Sequence, residues 1–413
     1  MGTKLTRHEH LLGRLHNGAA AAIIAGAAII TAALPVARAG ATGNYLQNGV
    51  SSVVAGGFPG AWAVDSNGLR GAAGVANIGT GQPTHPAMAD RIGSLTKTFV
   101  GTVALQLVSE HKLGLNDKIN SYLPAGTLPN ADDVTVKQVL QHTSGLPDYW
   151  ESGTDPLVLH FVSDPSYRTL TWTPQQLLAR ISSQPLDFTP GTQAEYSDTN
   201  YIVVGMIIQK ITGHTTQAEV INRILVPLHL THTSFPITSS NIPFFHAEGY
   251  SYDVDADGNP IVTPLPQLGA DPSRNFTQYN PSALGTMGAM ISTPADLVTF
   301  YKALLGGQLL PHNPDPTKDM NVVMKQTVPL HQEGWPEGIG MGLGIWSWDL
   351  SAIDPSCHKT IYGHEGEVPG YDTWAFATGN GSKAIAMDVN LMIPDWDAYV
   401  ATELPTYISL WCN

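Results

Sequence analysis

A largely apolar stretch runs from Leu95 to Val108, and Lys97 is its only charged residue. Apolar and small residues recur at helical spacing on both sides of this stretch: Phe99, Val103 and Leu107 on one, Gly101, Ala104 and Val108 on the other. A helix that is apolar on both sides is expected to be buried all round. The pattern therefore predicts a central, buried helix that opens near Ser94.

The two ends of the chain read as strands. Ala61–Asp65 and Leu69–Val75 predict a hairpin with Ser66-Asn67-Gly68 at its turn, within an N-terminal region that reads as strands up to about Thr84. Four later segments are predicted to be extended: residues 341–348, 358–363, 371–378 and 383–391. A helix from about Trp396 closes the chain and is predicted to bend or break at Pro405.

The middle of the chain is predominantly helical and rich in loops. Capping residues, or Pro at the first helical position, predict helices over four segments: residues 135–142, 173–181, 199–211 and 293–305. Strands at both ends with helices between them predict an α+β fold, in which one antiparallel sheet is flanked by helices. The α/β part covers about residues 40–112 and 285–413, and a mostly helical inserted domain covers about 113–284.

The first 39 residues have the pattern of a secretory signal peptide. A basic start is followed by the apolar, Ala-rich segment 18–34, and Ala37-Arg38-Ala39 is a small-x-small cleavage site. Cleavage is expected before Gly40, which predicts a secreted protein without a stable membrane anchor. A retained anchor is the alternative if that site stays uncut.

Charge and cysteine content narrow the functional classes. Removing residues 1–39 takes away four basic residues and one acidic residue, so the formal net charge moves from −14 to about −17. So acidic a chain argues against nucleic acid and anionic membranes as partners. Cys357 and Cys412 are the only cysteines, and in a secreted chain they predict one disulfide, worth about 4 kcal/mol in the chain-entropy model.

Ser94 and Lys97 lie three residues apart at the start of the predicted central helix, hence on one face and one turn from each other. Burial is costly for an ammonium, which favours the neutral amine at Lys97. A neutral Lys beside a Ser hydroxyl forms a base and nucleophile pair. Ser109 and Lys112 repeat the spacing among polar neighbours at the far end of the helix, where the pair is expected to be structural.

Metal-site patterns are weak in this sequence. Residues 253–258 resemble the start of a calcium loop, but Pro264 stands where a bidentate Glu is needed, so a polar hairpin turn is the better interpretation. None of the 15 His falls in a zinc-binding spacing. No metal and no cofactor are predicted.

Two more segments give Ser94 and Lys97 their context. Tyr196-Ser197-Asp198 precedes a predicted helix, and His364-Glu365-Gly366 follows a predicted strand. With Ser94-Leu-Thr-Lys97 they resemble, in order, the three motifs of the penicillin-recognising serine hydrolases. The chain is most similar to the secreted serine D-alanyl-D-alanine carboxypeptidases, which share the β-lactamase/transpeptidase-like fold of class C β-lactamases. Further segments carry the resemblance: residues 140–146, 288–294, 362–366 and 368–371, and the Cys357/Cys412 pair.

The resemblance implies a role for each motif residue. Ser94 attacks an acyl carbonyl, and Lys97 takes its proton. Tyr196 passes a proton to the leaving group, and His364 supports that proton network. The backbone N–H groups of Ser94 and Glu367 hold the oxyanion. Lys97 and Tyr196 are alternative general bases, so those two roles can exchange.

The expected substrate-binding residues are Asp198, Glu365, Gly366 and Trp346. Asp198 stands where the carboxypeptidases usually have Asn, and Glu365 stands where they often have a hydroxyl residue. The strand containing Trp346 lacks the Arg of those enzymes. Together with Glu367, these carboxylates are expected to repel an anionic end by roughly several kcal/mol in a partly dry site. A neutral or cationic leaving side is therefore predicted.

The sequence thus predicts a secreted serine hydrolase that acts through an acyl-enzyme, most similar to a D-alanyl-D-alanine carboxypeptidase. Its substrate is a small peptide, amide, ester or β-lactam. An esterase or a β-lactamase on the same fold is the alternative within the enzymes. A non-catalytic protein that binds penicillin or peptidoglycan is the alternative outside them. The sequence does not define an oligomeric state.

Overall fold

The computed structural model describes residues 44–151, 155–254, 260–261, 264–330, 332, 335–392 and 396–412. The predicted signal peptide and its cleavage site lie outside these residues. So do residues 255–259 of the calcium-like segment, although the strands on either side of them pair antiparallel, as the hairpin interpretation requires. Among the helices within the described ranges, none is long and apolar enough to cross a membrane.

A nine-stranded antiparallel sheet forms the centre of the fold, in the order β3-β2-β1-β14-β13-β12-β11-β10-β9. The strands are β1 Gly60–Asp65, β2 Arg70–Asn77, β3 Gln82–Pro83, β4 Asp90–Arg91, β5 Tyr250–Ser251, β6 Asp253–Val254, β7 Pro260–Ile261, β8 Ile291–Ser292, β9 Val328–Pro329, β10 Ile339–Met341, β11 Trp346–Asp349, β12 Thr360–Val368, β13 Tyr371–Thr378, β14 Ala384–Val389 and β15 Leu391–Met392. The predicted sheet assembled from both ends of the chain is confirmed.

Helices cover both faces of this sheet. They are α1 Tyr45–Ala55, α2 Thr96–Ser109, α3 Val136–Leu140, α4 Leu157–Ser163, α5 Pro174–Ala179, α6 Thr199–Thr212, α7 Thr216–Val220, α8 Leu265–Ala270, α9 Gly285–Gly288, α10 Pro294–Leu305, α11 Met320–Met324 and α12 Trp396–Cys412. The helices of the region predicted as an inserted domain lie between β4 and β8 in the chain. The domain boundaries themselves stay a prediction.

Alternation along β13 separates the two sides of the core. Trp374 and Phe376 point to the side of α1 and α12, whereas Ala375 and Ala377 point to the side of α2 and α10. Small residues on the second face let the central helix pack closely on the sheet. Helix α2 is buried on all sides, as predicted: Gln106, Val108 and Ser109 are its only residues that are not fully buried.

Three elements differ from the sequence predictions. Residues 45–55 form helix α1 rather than a strand, because Leu46, Val50 and Val53 lie on one helical face and Asn44 caps the first turn. The predicted strand 341–348 is two strands, β10 and β11, joined by a turn in which Gly344 has φ +80°. Strand β12 continues through Val368, so His364-Glu365-Gly366 lies within the strand rather than after it.

The C-terminal helix is covalently fixed to the loop that precedes β12. Cys357 and Cys412 form the predicted disulfide, with Cα atoms 5.3 Å apart and a separation of 55 positions in the sequence. Helix α12 continues through Pro405, so the predicted break does not occur. Leu410 and Trp411 are buried against the sheet, and this packing holds the last turn in place.

Candidate active site

Ser94 lies in a single 3₁₀ turn, Gly93–Leu95, that leads directly into α2. The Lys97 Nζ lies 2.8 Å from the Ser94 Oγ, so the predicted one-turn spacing brings the two side chains into hydrogen-bond contact. Ser94 is half-buried, and Lys97 is fully buried. The hydroxyl can therefore be reached from the surface, while the amine beneath it is shielded from water.

Lys97 has three oxygen partners. Its Nζ lies 2.8 Å from Ser94 Oγ, 2.5 Å from Asp198 Oδ1 and 3.1 Å from the Met287 carbonyl oxygen. The Asp198 carboxylate and the Met287 carbonyl can only accept hydrogen bonds, whereas the Ser94 hydroxyl can also donate. The expectation for Lys97 considered burial alone and did not include Asp198.

Asp198 lies at the N-cap position of α6 and pairs with Lys97. It was expected to cap α6 and to bind substrate; it is 1% exposed, its side chain forms the ion pair with Lys97, and it makes no side-chain capping bond. The substrate contact predicted at Asp198 stays a prediction.

Tyr196 lies beside Ser94, in the loop that enters α6. Its hydroxyl is close enough to the Ser94 side chain for Ser94 to lower its pKa in part, and its backbone N–H donates to Gln332 Oε1 at 2.9 Å. The Trp335 ring packs against it with centroids 5.2 Å apart. Burial, and then the Asp198 charge, raises the pKa of Tyr196 well above its usual range. Tyr196 therefore holds its proton and faces Ser94 as a phenol rather than a phenolate.

His364 comes from β12 and packs on Trp346 of β11, with ring centroids 4.3 Å apart. Its ring centroid is 6.1 Å from that of Tyr196, so the strand brings the third motif to the second. Burial, and then the nearby charge of Lys97, lowers the pKa of His364 well below its usual range. The Glu365 carbonyl oxygen can only accept, so His364 Nδ1 carries the proton and Nε2 remains an acceptor. Trp346, against which the His364 ring packs, is 2% exposed.

Because Gly366 has no side chain, β12 can lie close to the turn Gly93–Leu95 that contains Ser94. A Cβ on Gly366 would lie 2.1 Å from the Ile92 carbonyl oxygen and 2.9 Å from the Ser94 backbone nitrogen. A Cβ on Gly93 would lie 3.1 Å from the Glu367 backbone nitrogen. The two backbone nitrogens predicted to hold an oxyanion therefore lie on adjoining segments in close contact.

Two acidic residues of β12, Glu365 and Glu367, lie next to Gly366 in this strand. Glu365 and Glu367 are half-buried, and both have a pKa raised well above the usual range, mainly by burial and then by the charge of Asp372. Glu365 lies close enough to Lys97 for the lysine charge to offset part of that shift. This side of the cleft is unfavourable for a second anion.

Two acidic residues of the site were missed from the sequence. Asp148, Glu151 and Asp198 each place a carboxylate oxygen within 4.8 Å of the others. Burial, and then the charge of Asp198, raises the pKa of Glu151 to about 7, against the opposing effect of Lys97. Such a set of oxygens can take a cation, and Lys97 Nζ already lies 2.5 Å from Asp198 Oδ1. Asp148 and Glu151 come shortly after residues 140–146, one of the segments that carry the family resemblance. This closeness in the sequence was the only indication that they lie near the site.

The fold thus brings together a serine hydroxyl, a lysine amine, a tyrosine phenol and the backbone nitrogens of Ser94 and Glu367. The sequence model of the family described as Beta-lactamase matches residues 18–405. The chain belongs to the Beta-lactamase family. The family and the fold predicted from the three motifs are confirmed.

Proteins with sequences similar to this chain have several different names. Penicillin-binding protein 4 of Amycolatopsis lactamdurans is 25% identical over 344 residues, which cover 78% of this chain and 79% of that protein. The putative penicillin-binding protein PbpX of Bacillus subtilis is 29% identical over 226 residues, 54% of this chain and 48% of that protein. Protein flp of Staphylococcus aureus is 32% identical over 157 residues, 37% of this chain and 29% of that protein. The chain thus spans half or less of the last two relatives.

Solved structures match over most of both chains. A D-stereospecific amidohydrolase from Streptomyces sp. is 32% identical, with a TM-score of 0.69, and the match covers 87% of this chain and 98% of that one. The D-amino acid amidase of Ochrobactrum anthropi SV3, complexed with D-phenylalanine, is 25% identical with a TM-score of 0.68. That match covers 86% of this chain and 93% of the amidase.

Proposed function

We propose that this chain is a serine amidase that hydrolyses amides or short peptides of D-amino acids through an acyl-enzyme on Ser94. The observation that carries the proposal is the Ser94 hydroxyl, 2.8 Å from Lys97 Nζ and beside the Tyr196 side chain. The names of the two structural relatives, a D-stereospecific amidohydrolase and a D-amino acid amidase, support the choice of an amide substrate.

The three partners of Lys97 define a proton path. A neutral amine has two hydrogens and one lone pair, so it can donate to Asp198 and to the Met287 carbonyl while it accepts from Ser94. The serine oxygen attacks the substrate carbonyl carbon, and its proton moves to Lys97 Nζ. Asp198 stabilises the ammonium that this transfer creates.

Collapse of the tetrahedral intermediate breaks the amide C–N bond. The leaving nitrogen needs a proton, and the Tyr196 phenol, which lies beside Ser94, is placed to donate it. Lys97 then returns its proton to Tyr196, and water attacks the ester by the reverse path. The backbone N–H groups of Ser94 and Glu367 hold the negative oxygen in both steps. His364 supports Tyr196 from the strand.

The carboxylates favour a substrate that carries an amine rather than an acid. Glu151 belongs to the acidic cluster beneath the cleft, and Glu365 and Glu367 line its strand edge. We assign the free α-ammonium of the acyl part to Glu151, and a neutral or cationic leaving side to the edge of β12. A free carboxylate on the leaving side of a substrate would place a further acidic group beside Glu365 and Glu367.

The test is a comparison of matched substrates. We expect hydrolysis of D-phenylalanine amide at more than about 100 times the kcat/KM of the L-amide, and a D-alanyl-D-alanine amide or methyl ester cleaved faster than the free acid. Ser94→Ala must abolish each of these reactions. Clear preference for the free acid would contradict the assignment of the substrate, and activity retained in Ser94→Ala would contradict the mechanism.

We further propose that the protein is secreted, with cleavage before Gly40. The Ala37-Arg38-Ala39 site and the Cys357–Cys412 disulfide both support export to an oxidising compartment. N-terminal sequencing of protein from the culture medium should begin at Gly40. Full-length protein retained in the membrane fraction would contradict this proposal.

A further inference from the structure

Three histidines adopt a backbone conformation that normally favours glycine. His111, His142 and His229 have φ values of 57°, 56° and 54°, and each follows the end of a helical segment. In each case the next residue donates its N–H at 2.9 Å to a carbonyl five positions earlier: Lys112 to Leu107, Thr143 to Gln138 and Leu230 to Leu225. This is the helix-ending motif in which glycine is usual, because it avoids the strain of a side chain.

One of the three differs in its surroundings. His111 and His229 are exposed, whereas His142 is 2% exposed. A left-handed backbone is strained, and therefore costly, for a residue other than glycine. At His142 the strained backbone is combined with a buried imidazole near Lys97 and His364. Specific contacts of the side chain must compensate for both costs.

The contacts of His142 converge on Tyr196. The Glu195 N–H donates to the His142 carbonyl oxygen at 2.9 Å, and the Ser197 N–H donates to His142 Nδ1 at 3.1 Å. The imidazole stacks on the Tyr196 ring with centroids 4.5 Å apart and planes 14° apart. His142 therefore holds the backbone on both sides of Tyr196 and one face of its ring.

The protonation state of His142 follows from these donors. A backbone N–H can only donate, so Nδ1 must accept, and the single proton of a neutral imidazole lies on Nε2. The amide of Asn200 lies 3.3 Å from the same Nδ1. Burial, followed by the charges of Lys97 and His364, lowers the pKa of His142 well below its usual range, which agrees with a permanently neutral ring.

We propose that His142 is a positioning residue for Tyr196, and that it sets the phenol in line between Ser94 and the leaving group. This inference rests on the proposed function, in which Tyr196 delivers that proton. It assigns no proton transfer to His142 itself, whose Nδ1 is occupied by the Ser197 N–H. Misplacement of a catalytic group by about 1 Å can lower a rate about 100-fold.

The variant His142→Gly tests the proposal, because glycine accepts the left-handed backbone but has no ring and no acceptor. We expect kcat for D-phenylalanine amide to fall about 10- to 100-fold while KM changes less than about twofold. With the p-nitrophenyl ester of the same D-phenylalanyl group, the rate of the initial burst of p-nitrophenolate, which reports acylation alone, should fall less than about threefold, since p-nitrophenolate leaves without a proton. A merely structural role would lower both rates by the same factor.

Two further variants keep the result interpretable if His142→Gly folds poorly. His142→Asn tolerates the left-handed backbone and can place Oδ1 where Nδ1 stands, so it should recover part of the amidase activity. His111→Gly and His229→Gly make the same change at exposed sites and should leave both rates within about twofold of wild type.

The outcomes separate this inference from the proposed function. Wild-type protein that cleaves neither the amide nor the ester would overturn both. Wild-type amidase activity with equal losses on amide and ester in His142→Gly, or no loss at all, would overturn the positioning role alone. Selective loss on the amide with recovery in His142→Asn would support it.

Discussion

The surroundings of Lys97 in the structure differ more from those expected from the sequence than the surroundings of the other motif residues do. Burial alone predicted a neutral amine, but Asp198 at 2.5 Å supplies a buried countercharge. In the proposed mechanism this carboxylate stabilises the protonated lysine after serine attack. The position where the carboxypeptidases usually have Asn thus contacts Lys97 directly in this chain.

Glu151 is predicted to recognise the substrate amine, and its protonation should control KM. Because burial and Asp198 raise its pKa to about 7, its carboxyl is neutral below that pH and ionised above it. KM for D-phenylalanine amide should therefore rise as pH falls below about 7, whereas KM for the N-acetylated amide should stay flat. The α-ammonium of the substrate loses its proton at about pH 7.7–8.0. Affinity should therefore be highest between the pKa of Glu151 and that of the substrate amine.

Glu151→Gln gives the matching mutational result. We expect KM for the free-amine substrate to rise about tenfold, or 1.4 kcal/mol, with little change in kcat. The exposed Glu337→Gln serves as the control and should match wild type. An equal rise in KM for the N-acetylated substrate would show that Glu151 does not bind the amine.

The residues that converge at the site could be predicted from motif order, whereas their partners could not. Ser94, Lys97, Tyr196 and His364 lie together as the three motifs implied. Asp148 and Glu151 carry no periodic or spacing signal, and only the folded loop brings them beside Asp198. Pairwise distances of this kind depend on tertiary packing, which a local pattern does not record.

At the scale of elements, the site depends on the close approach of β12 to the turn Gly93–Leu95. The alternation of the sequence predicted the hairpin of β1 and β2, and the long apolar run predicted α2. It did not predict that β12 continues past His364, because two glycines and two glutamates interrupt the apolar pattern there. The helical spacing of Leu46, Val50 and Val53 was present in the sequence but lay in a segment interpreted as strands.

Gly366→Ala tests this approach directly. A Cβ at 2.1 Å from the Ile92 carbonyl oxygen and 2.9 Å from the Ser94 nitrogen forces backbone to move on one side or the other. We expect kcat/KM to fall at least about 100-fold and the free energy of unfolding to fall by about 1–3 kcal/mol. Gly79→Ala meets its nearest atom at 3.4 Å and is the control. Full activity in Gly366→Ala would contradict the assigned contact of strand and turn.

At the scale of the whole molecule, buried carboxyl groups make the free energy of unfolding depend on pH. Asp90 and Asp388 are both fully buried, and Thr373, opposite Asp388 in the sheet, donates to Asp90 Oδ2 at 2.9 Å. Burial is the largest cause that raises the pKa of each well above its usual range, and the Asp90 charge raises that of Asp388 further. The sequence offered no sign of this pair, whose members lie at opposite ends of the chain.

The sign of the pH effect follows from those raised values. The folded pKa exceeds the unfolded one of about 3.9, so the contribution is complete below about pH 3.9 and is lost as pH rises through the folded value. Denaturant unfolding of wild type and Asp388→Asn should diverge with pH: we expect the variant to gain relative stability between pH 5 and 8, by up to about 1.4 kcal/mol per pH unit. A constant difference across that range would show that Asp388 is ionised in the folded protein.

The central claim is that Ser94 forms a covalent acyl-enzyme, and intact-protein mass spectrometry tests it most directly. Protein mixed with benzylpenicillin or an activated ester should gain the mass of one acyl group, and peptide mapping should place that mass on the segment containing Ser94. The adduct should decay with time in wild type and be absent in Ser94→Ala. An adduct that persists in Ser94→Ala, or no adduct with either reagent, would contradict the account.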